Sequence, residues 1–242
     1  MRTRQDQDPP SGTTRITIRA EFAVSAPGFY SFIGPVAYYS LRHQNFACEY
    51  FCDGMLASWV FSTIFRRSVR RTSFDYSSIA KRFFEDCEGH DRRILVVGGT
   101  FADAAAFGEH LRSTYPQLRF HCQDGYPIGG FQASRFEAIA TQASGFDVVL
   151  LALGSPLQER VGQHLVERGF QGTVITAGAF VTQTVSAGAR PYYPKLVNAL
   201  NLRFLWRLIH EPHTRSRFKY VFMFPLSFLA DLLRGNVRVK CI

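Results

Sequence analysis

The run Arg93-Ile-Leu-Val-Val-Gly-Gly99 constrains this chain more than any other stretch. It is apolar without alternation, ends on paired glycines, and is followed by Asp103 to Thr114, which has the composition and spacing of a helix. Strand, tight turn and helix in that order make half of a parallel crossover. The order then repeats. Leu118 to Cys122 is short and strand-like, Ser134 to Ala143 is helical, and Phe146-Asp-Val-Val-Leu-Leu-Ala-Leu153 reads as a buried strand. Pro156 to Arg168 is a helix with proline at its start, and Gly172 to Ala177 is another strand. Strands alternating with helices require right-handed crossovers and a parallel sheet covered on both faces.

The first part of the chain is less regular. Arg15 to Val24 alternates enough for a strand, Phe29 to Leu41 reads as a helix, and Phe46 to Phe51 as a strand running into Cys52-Asp53-Gly54. The prediction is an α/β domain over residues 15–195, a Rossmann-like parallel sheet with helices on both faces. Residues 1–14, polar and with paired prolines, read as a disordered lead-in, and 196–242 as a basic, amphipathic C-terminal appendage. In open parallel sheets ligands bind where loops leave the carboxyl ends of the strands. Three loops qualify: Cys52-Asp53-Gly54, Gly98-Gly99-Thr100, and Gly154-Ser155-Pro156-Leu157-Gln158-Glu159. Each brings polar groups or free backbone N–H donors to a helix start, which suits a phosphate-bearing ligand.

Composition closes off other classes. At 242 residues the chain holds one domain, or one plus an appendage. No stretch reaches the roughly 18 apolar residues of a membrane span, and the N-terminus lacks the apolar core of a secretory signal. Five scattered cysteines, Cys48, Cys52, Cys87, Cys122 and Cys241, predict no disulfide framework and a reducing cytosol. Cys48 and Cys52 lack a second pair at zinc spacing, and Cys241 is penultimate, not placed for prenylation. No G-x-G-x-x-G, P-loop or G-x-S-x-G occurs. The net charge of +9 is uneven: from Asn201 onward, eight basic residues against two acidic ones leave +6 in that end alone. Such an end calls for an anionic partner: a membrane surface, a diphosphate or nucleic acid.

In the third loop, Ser155 reads as an N-cap, Pro156 as the first helical residue and Glu159 as a first-turn acid. Gly-Ser-Pro-x-Gln-Glu after an Asp-Val-Val-Leu-Leu strand resembles the Gly-x-Pro-Lys-Gln-Glu signature of the WecG/TagA/CpsF glycosyltransferases, family 26. Other pieces follow in that family's order. Cys52-Asp53-Gly54 resembles its Asp-Gly motif, and Arg70 with Asp75 its Arg-x-x-Gly-x-Asp, with Ser73 in place of the Gly. Val97-Gly98-Gly99 resembles its glycine turn, Tyr115-Pro116 its Tyr-Pro, and Gly125-Tyr126 its Gly-Tyr. Arg207-Leu208, Glu211-Pro212 and Arg217-Phe218 resemble the Arg-Leu, Glu-Pro and Arg-Tyr of its C-terminal segment. The resemblance covers about residues 20 to 230. There are departures. The family's Thr-x-Asn falls on Ser25-Ala26-Pro27, Leu157 stands for the usual Lys, Val181 for a common Asp, and Arg203-Phe204 for Glu-Trp.

The resemblance implies a UDP-sugar-dependent hexosyl- or N-acetylhexosaminyltransferase. It would move a sugar, with inversion, to a polyprenyl-diphosphate-linked saccharide in bacterial exopolysaccharide or cell-surface polysaccharide synthesis. It implies Asp53 as base, with capping of the next helix as the plainer role for that residue. Ser25, Gly98, Gly99, Thr100, Gly125, Tyr126, Gly154, Gln158 and Glu159 would line the donor. Of these, Gln158 and Glu159 would touch ribose or phosphate, and Gly125-Tyr126 would border the sugar or form a plain turn. Arg70, Arg207, Arg215 and Arg217 would meet the acceptor diphosphate or membrane lipid. Asp86-Cys87-Glu88 superficially resembles a metal-holding triplet but reads as a solvated helix end, so no metal or other cofactor is expected. Tyr220 to Leu233 suits a segment lying on an anionic membrane surface, or a helix packed on the core. The implied location is cytoplasmic, on the inner face of the bacterial membrane, with other polysaccharide-synthesis enzymes as further partners. A non-catalytic scaffold is an alternative, as is a nucleic-acid-binding module; the near-neutral first 200 residues oppose nucleic acid as a partner.

Overall fold

The computed structural model describes residues 13–22, 27–126, 131–188 and 218–242. Its strands are β1 (Thr14–Arg19), β2 (Gly28–Ile33), β3 (Glu49–Cys52), β4 (Arg93–Gly98), β5 (Arg119–Gln123), β6 (Val148–Ala152), β7 (Thr173–Thr176) and β8 (Val237–Cys241). They form one sheet in the order β5-β4-β6-β7-β2-β3-β1-β8. Every pairing is parallel. The described helices are α1 (Pro35–Leu41), α2 (Met55–Phe65), α3 (Ala80–Gly89), α4 (Phe101–Thr114), α5 (Ala133–Ala143), α6 (Leu157–Glu167), α7 (Phe180–Ala187) and α8 (Phe218–Leu233).

The sheet's pleat divides the core in two. Along β4, Leu95 and Val97 face the layer of α1, α2, α5, α6 and α8, whereas Ile94 and Val96 face α3, α4 and α7. The predicted Rossmann-like α/β class is therefore the fold observed. One element differs in type. Phe29 to Leu41, expected as a helix, is β2 followed by α1, broken at Gly34-Pro35. β2 lies between β3 and β7, buried along Phe29 to Ile33, so its sequence is apolar without strand alternation. β1 stops at Arg19, short of the predicted Val24. Thr13 and Thr14, counted with the polar lead-in, are buried, and Thr14 opens β1.

The described part of the C-terminal segment is built into this body. β8 pairs with β1 along Thr14 to Ile18 and closes that edge of the sheet. Phe224 and Phe228 of α8 are fully buried against Tyr38 of α1 and Phe61 of α2. Beside them Asp231 accepts hydrogen bonds from Tyr38 Oη at 2.6 Å, Arg42 Nη1 at 3.1 Å and Asn236 Nδ2 at 3.2 Å. Burial alone would raise the Asp231 carboxyl. The bonds from Tyr38 and Asn236 and the Arg42 charge outweigh it and hold the carboxyl below its ordinary value.

A carboxylate whose folded pKa lies below its unfolded value adds stability above the unfolded pKa, and this is lost as the pH falls through the folded one. Asp231→Ala should therefore cost about 3 kcal/mol at pH 7, by stranding buried partners. The gap from wild type should narrow below roughly pH 4, where an unfolded aspartate is protonated. Urea titrations at the two pH values check both statements.

Candidate active site

Because all strands are parallel, the loops after β2, β3, β4, β6 and β7 leave one edge of the sheet. The chain runs from β4 out to β5 and returns to β6 on the other side, which opens a crevice between the ends of β4 and β6. Asp53 follows β3 on the same edge, half-buried. Its backbone N–H donates to the Ile33 carbonyl at 2.9 Å, and a Cβ on Gly34 would fall on the Asp53 carbonyl. The cap of α2 is Gly54, at φ 98°, a conformation open to glycine. Asp53 thus stands one residue ahead of the cap residue.

An arginine comes with it. Thr72 N–H donates to the Cys52 carbonyl at 2.7 Å, laying the 71–73 segment along the end of β3. Arg71 lies close enough to Cys52 to oppose the rise that burial gives its thiol, and its Nη2 donates to Ser73 Oγ at 3.0 Å. Ser73 in turn donates to Asp75 Oδ2 at 2.6 Å. Arg70, the arginine singled out from sequence, is 73% exposed and pairs with Glu21 at 3.5 Å. Residues alternate in facing along an extended segment, so a shift of one exchanges the two arginines.

Around the crevice three loops are packed to backbone contact. The Gly99 carbonyl accepts from the N–H groups of Gly125 and Tyr126, at 2.8 and 3.2 Å, and Tyr126 Oη donates to the Leu153 carbonyl. A Cβ on Gly125 would lie 2.8 Å from Gly98 Cα, so a side chain there would part the loops. Thr100 caps α4: its Oγ1 accepts from Asp103 N–H at 3.1 Å, and its N–H donates to Asp103 Oδ2 at 2.9 Å. Those two groups of Thr100 are occupied within the protein.

The third loop differs from the predicted cap. α6 begins at Leu157 with Pro156 at the cap position, and the Ser155–Pro156 peptide is cis. Ser155 Oγ turns instead to Glu159 Oε1, donating at 2.8 Å. Glu159 Oε1 also accepts from Ser31 Oγ of β2 at 2.7 Å and from Gln158 Nε2 at 3.0 Å. Gln158 Oε1 accepts from Gly178 N–H at 3.0 Å, and Ser31 Oγ lies 3.0 Å from Thr176 Oγ1 of β7. Glu159 is 0% exposed, and burial raises its pKa. Gln158 and Glu159, read from sequence as donor contacts, are enclosed side chains that tie β2, β6 and β7 together at their carboxyl ends.

Asp86-Cys87-Glu88 ends α3, which leads into the amino end of β4 and so lies away from these loops. Asp86 pairs with His90 and Arg92. Among the described residues no three His, Cys, Asp or Glu side chains gather as a metal-ligand group. Ser25, Arg207, Arg215 and Arg217 lie outside the described residues. A cleft of about 620 Å³ sits at the opposite edge, between Arg92, Asp147 and Arg168 at the amino ends of the strands.

Residues 43–239 match the family model described as Glycosyl transferase WecG/TagA/CpsF family. The chain belongs to that family. It is also 27% identical over 201 residues to a Shigella boydii UDP-Gal:alpha-D-GlcNAc-diphosphoundecaprenol beta-1,4-galactosyltransferase, covering 79% of this chain and 81% of the relative. As a WecG/TagA/CpsF glycosyl transferase it has departures that the geometry makes concrete. Val181, where the family pattern commonly has Asp, is buried in α7 within contact range of a Cβ placed on Gly99. Tyr115 of the Tyr-Pro motif is buried and hydrogen-bonded to Tyr76, a packing role.

Proposed function

We propose that this protein is an inverting glycosyltransferase. It moves a sugar from a UDP-sugar to a polyprenyl-diphosphate-linked saccharide in bacterial exopolysaccharide or other cell-surface polysaccharide synthesis. The observation that carries the reading is the shared edge: the Asp53 carboxylate after β3, Arg71 on the segment laid along the end of that strand, and glycine-backed helix starts in one row. The donor and acceptor classes are supported by the relative's name, which specifies UDP-Gal and a GlcNAc-diphosphoundecaprenol. This protein's own donor is a UDP-hexose or UDP-N-acetylhexosamine.

Asp53 at the end of β3 and Ser155 after β6 are three strand spacings apart, about 14 Å. An extended nucleoside diphosphate sugar is of that order in length. In this layout the sugar lies at Asp53, the diphosphate across the ends of β2 and β7, and the nucleoside over the Gly98–Thr100 and Gly154–Pro156 loops. Gly125 and Tyr126, packed on Gly99, then border the nucleoside rather than the sugar. Asp53 takes the proton of the acceptor hydroxyl as its oxygen bonds to the anomeric carbon. The bond from that carbon to the UDP oxygen breaks on the opposite face, which inverts the centre. The departing charge is met by Arg71, with Arg207, Arg215 and Arg217 as further candidates. No step of this reaction uses a metal or other cofactor.

Asp53→Asn should lower transfer by roughly 10²–10⁴-fold, the usual contribution of a general base. UDP affinity should stay within about threefold, since the donor's diphosphate does not depend on the base. Calorimetry with UDP and a radiolabelled-sugar assay check both; wild-type turnover in this variant would rule Asp53 out.

The lipid-linked acceptor asks for a membrane surface, and α8 offers one. No helix among the described residues is long and apolar enough to cross a membrane. The face of α8 away from the core carries Phe222, Met223, Leu226, Leu229 and Leu233, all exposed, with Leu226 at 76%. Positions 222, 226, 229 and 233 form one helical stripe, and Lys219 and Arg234 stand at its ends. We infer peripheral binding to an anionic membrane through this stripe and the basic end of the chain. Leu226→Ser together with Leu233→Ser should leave the melting temperature in place and weaken binding to phosphatidylglycerol vesicles about tenfold or more. Turnover on a lipid-linked acceptor should fall with it, and turnover on a short soluble acceptor should not. Sedimentation with vesicles gives the answer.

A further inference from the structure

Among the described residues Glu159 is the most enclosed charged residue at the carboxyl edge, and the reaction proposed above gives it no chemical task. Its Oε1 collects three donors, from Ser31, Ser155 and Gln158, while its buried Oε2 has no hydrogen-bond partner among the described residues. Among the described residues, the groups facing it from each packed element are uncharged: Ser31 on β2, Ser155 and Gln158 at the start of α6, and Cys48 and Tyr50 beside and on β3. A carboxyl buried without a cation and with one oxygen unmatched opposes folding. A position serving packing alone would be better filled by an apolar residue of the same volume.

The donors come from the two halves of the sheet. Ser31 belongs to β2, which runs into Gly34 and so to the backbone of Asp53. Ser155 and Gln158 belong to the loop and helix after β6, and Gln158 reaches on to Gly178 after β7. We propose that Glu159 is the positioning residue of the donor site: it locks the Gly154–Pro156 loop to β2, and so fixes the bound UDP relative to the base Asp53. This role rests on the donor lying along the carboxyl edge, as proposed above. It needs a side chain that accepts at one oxygen from both halves at once. An apolar residue cannot do this, and a serine is too short to reach both.

The test compares Glu159→Ala, Glu159→Gln, Ser155→Ala and the double variant Glu159→Ala with Ser155→Ala. UDP binding is measured by calorimetry, transfer to a soluble acceptor analogue by steady-state kinetics, and folding by thermal melting. Glu159→Ala should lower kcat about 100-fold, the scale of a misplacement near 1 Å, with a smaller rise in KM. Glu159→Gln, which keeps the accepting oxygen, should recover to within roughly fivefold of wild type. The Glu159→Ala and Ser155→Ala losses should fail to multiply in the double variant, because both break one contact. If Glu159→Ala does not fold, Ser155→Ala and Glu159→Gln carry the test: Ser155→Ala must lower kcat more than it raises KM while melting like wild type. Wild-type protein that binds no UDP overturns the proposed function and this role with it. Wild-type protein that binds UDP while these variants turn over normally, or lose activity multiplicatively, overturns the positioning role alone.

Discussion

The pairing of β2 with β7 is the contact on which the rest of the structure depends. β4, β5, β6 and β7 make one half-sheet, and β1, β2, β3 and β8 the other; Gly28 to Tyr30 against Thr173 to Ile175 joins them. The joint does more than continue a ladder. It aligns the carboxyl ends of both halves on one edge, so a base from one half and glycine-backed loops from the other face the same space. The polar knot of Ser31, Thr176, Gln158 and Glu159 sits at this joint and would be an expensive way to fill a core.

The C-terminal segment extends the same economy of elements. α8 presents Phe224, Phe228 and Asp231 inward and Leu226, Leu229 and Leu233 outward, so one helix serves the core with one face and exposes an apolar stripe on the other. Sequence reading offered an interfacial segment and a core-packed helix as alternatives for this stretch. The core packing is observed; the outer stripe is what the interfacial reading requires, and both fit on a helix because its faces repeat every 3.6 residues.

The half from β4 to β7 was legible because a glycine follows each of its strands within two residues and each crossover helix carries its own periodicity. β2 was not: a strand buried on both faces lacks alternation, and its run into Pro35 reads as one apolar helix. β8 was not legible either, since its partner β1 lies more than two hundred residues away, as the Thr13–Gly235 bond with a separation of 222 illustrates. At the candidate site, the three loops, the first of them carrying Asp53, were readable from residue type and spacing. The distinction between Arg70 and Arg71 was not, because it turns on which side of an extended segment faces β3. Nor was the enclosure of Glu159, because a motif gives the residue and not the direction of its side chain.

The central claim is that UDP binds along the carboxyl edge, and a crystal structure with UDP tests it most directly. The account predicts the uracil and ribose over the Gly98–Thr100 and Gly154–Pro156 loops, with the diphosphate toward Gly34 and Asp53. UDP seated instead in the cleft between Arg92 and Arg168, at the amino ends of the strands, would contradict it.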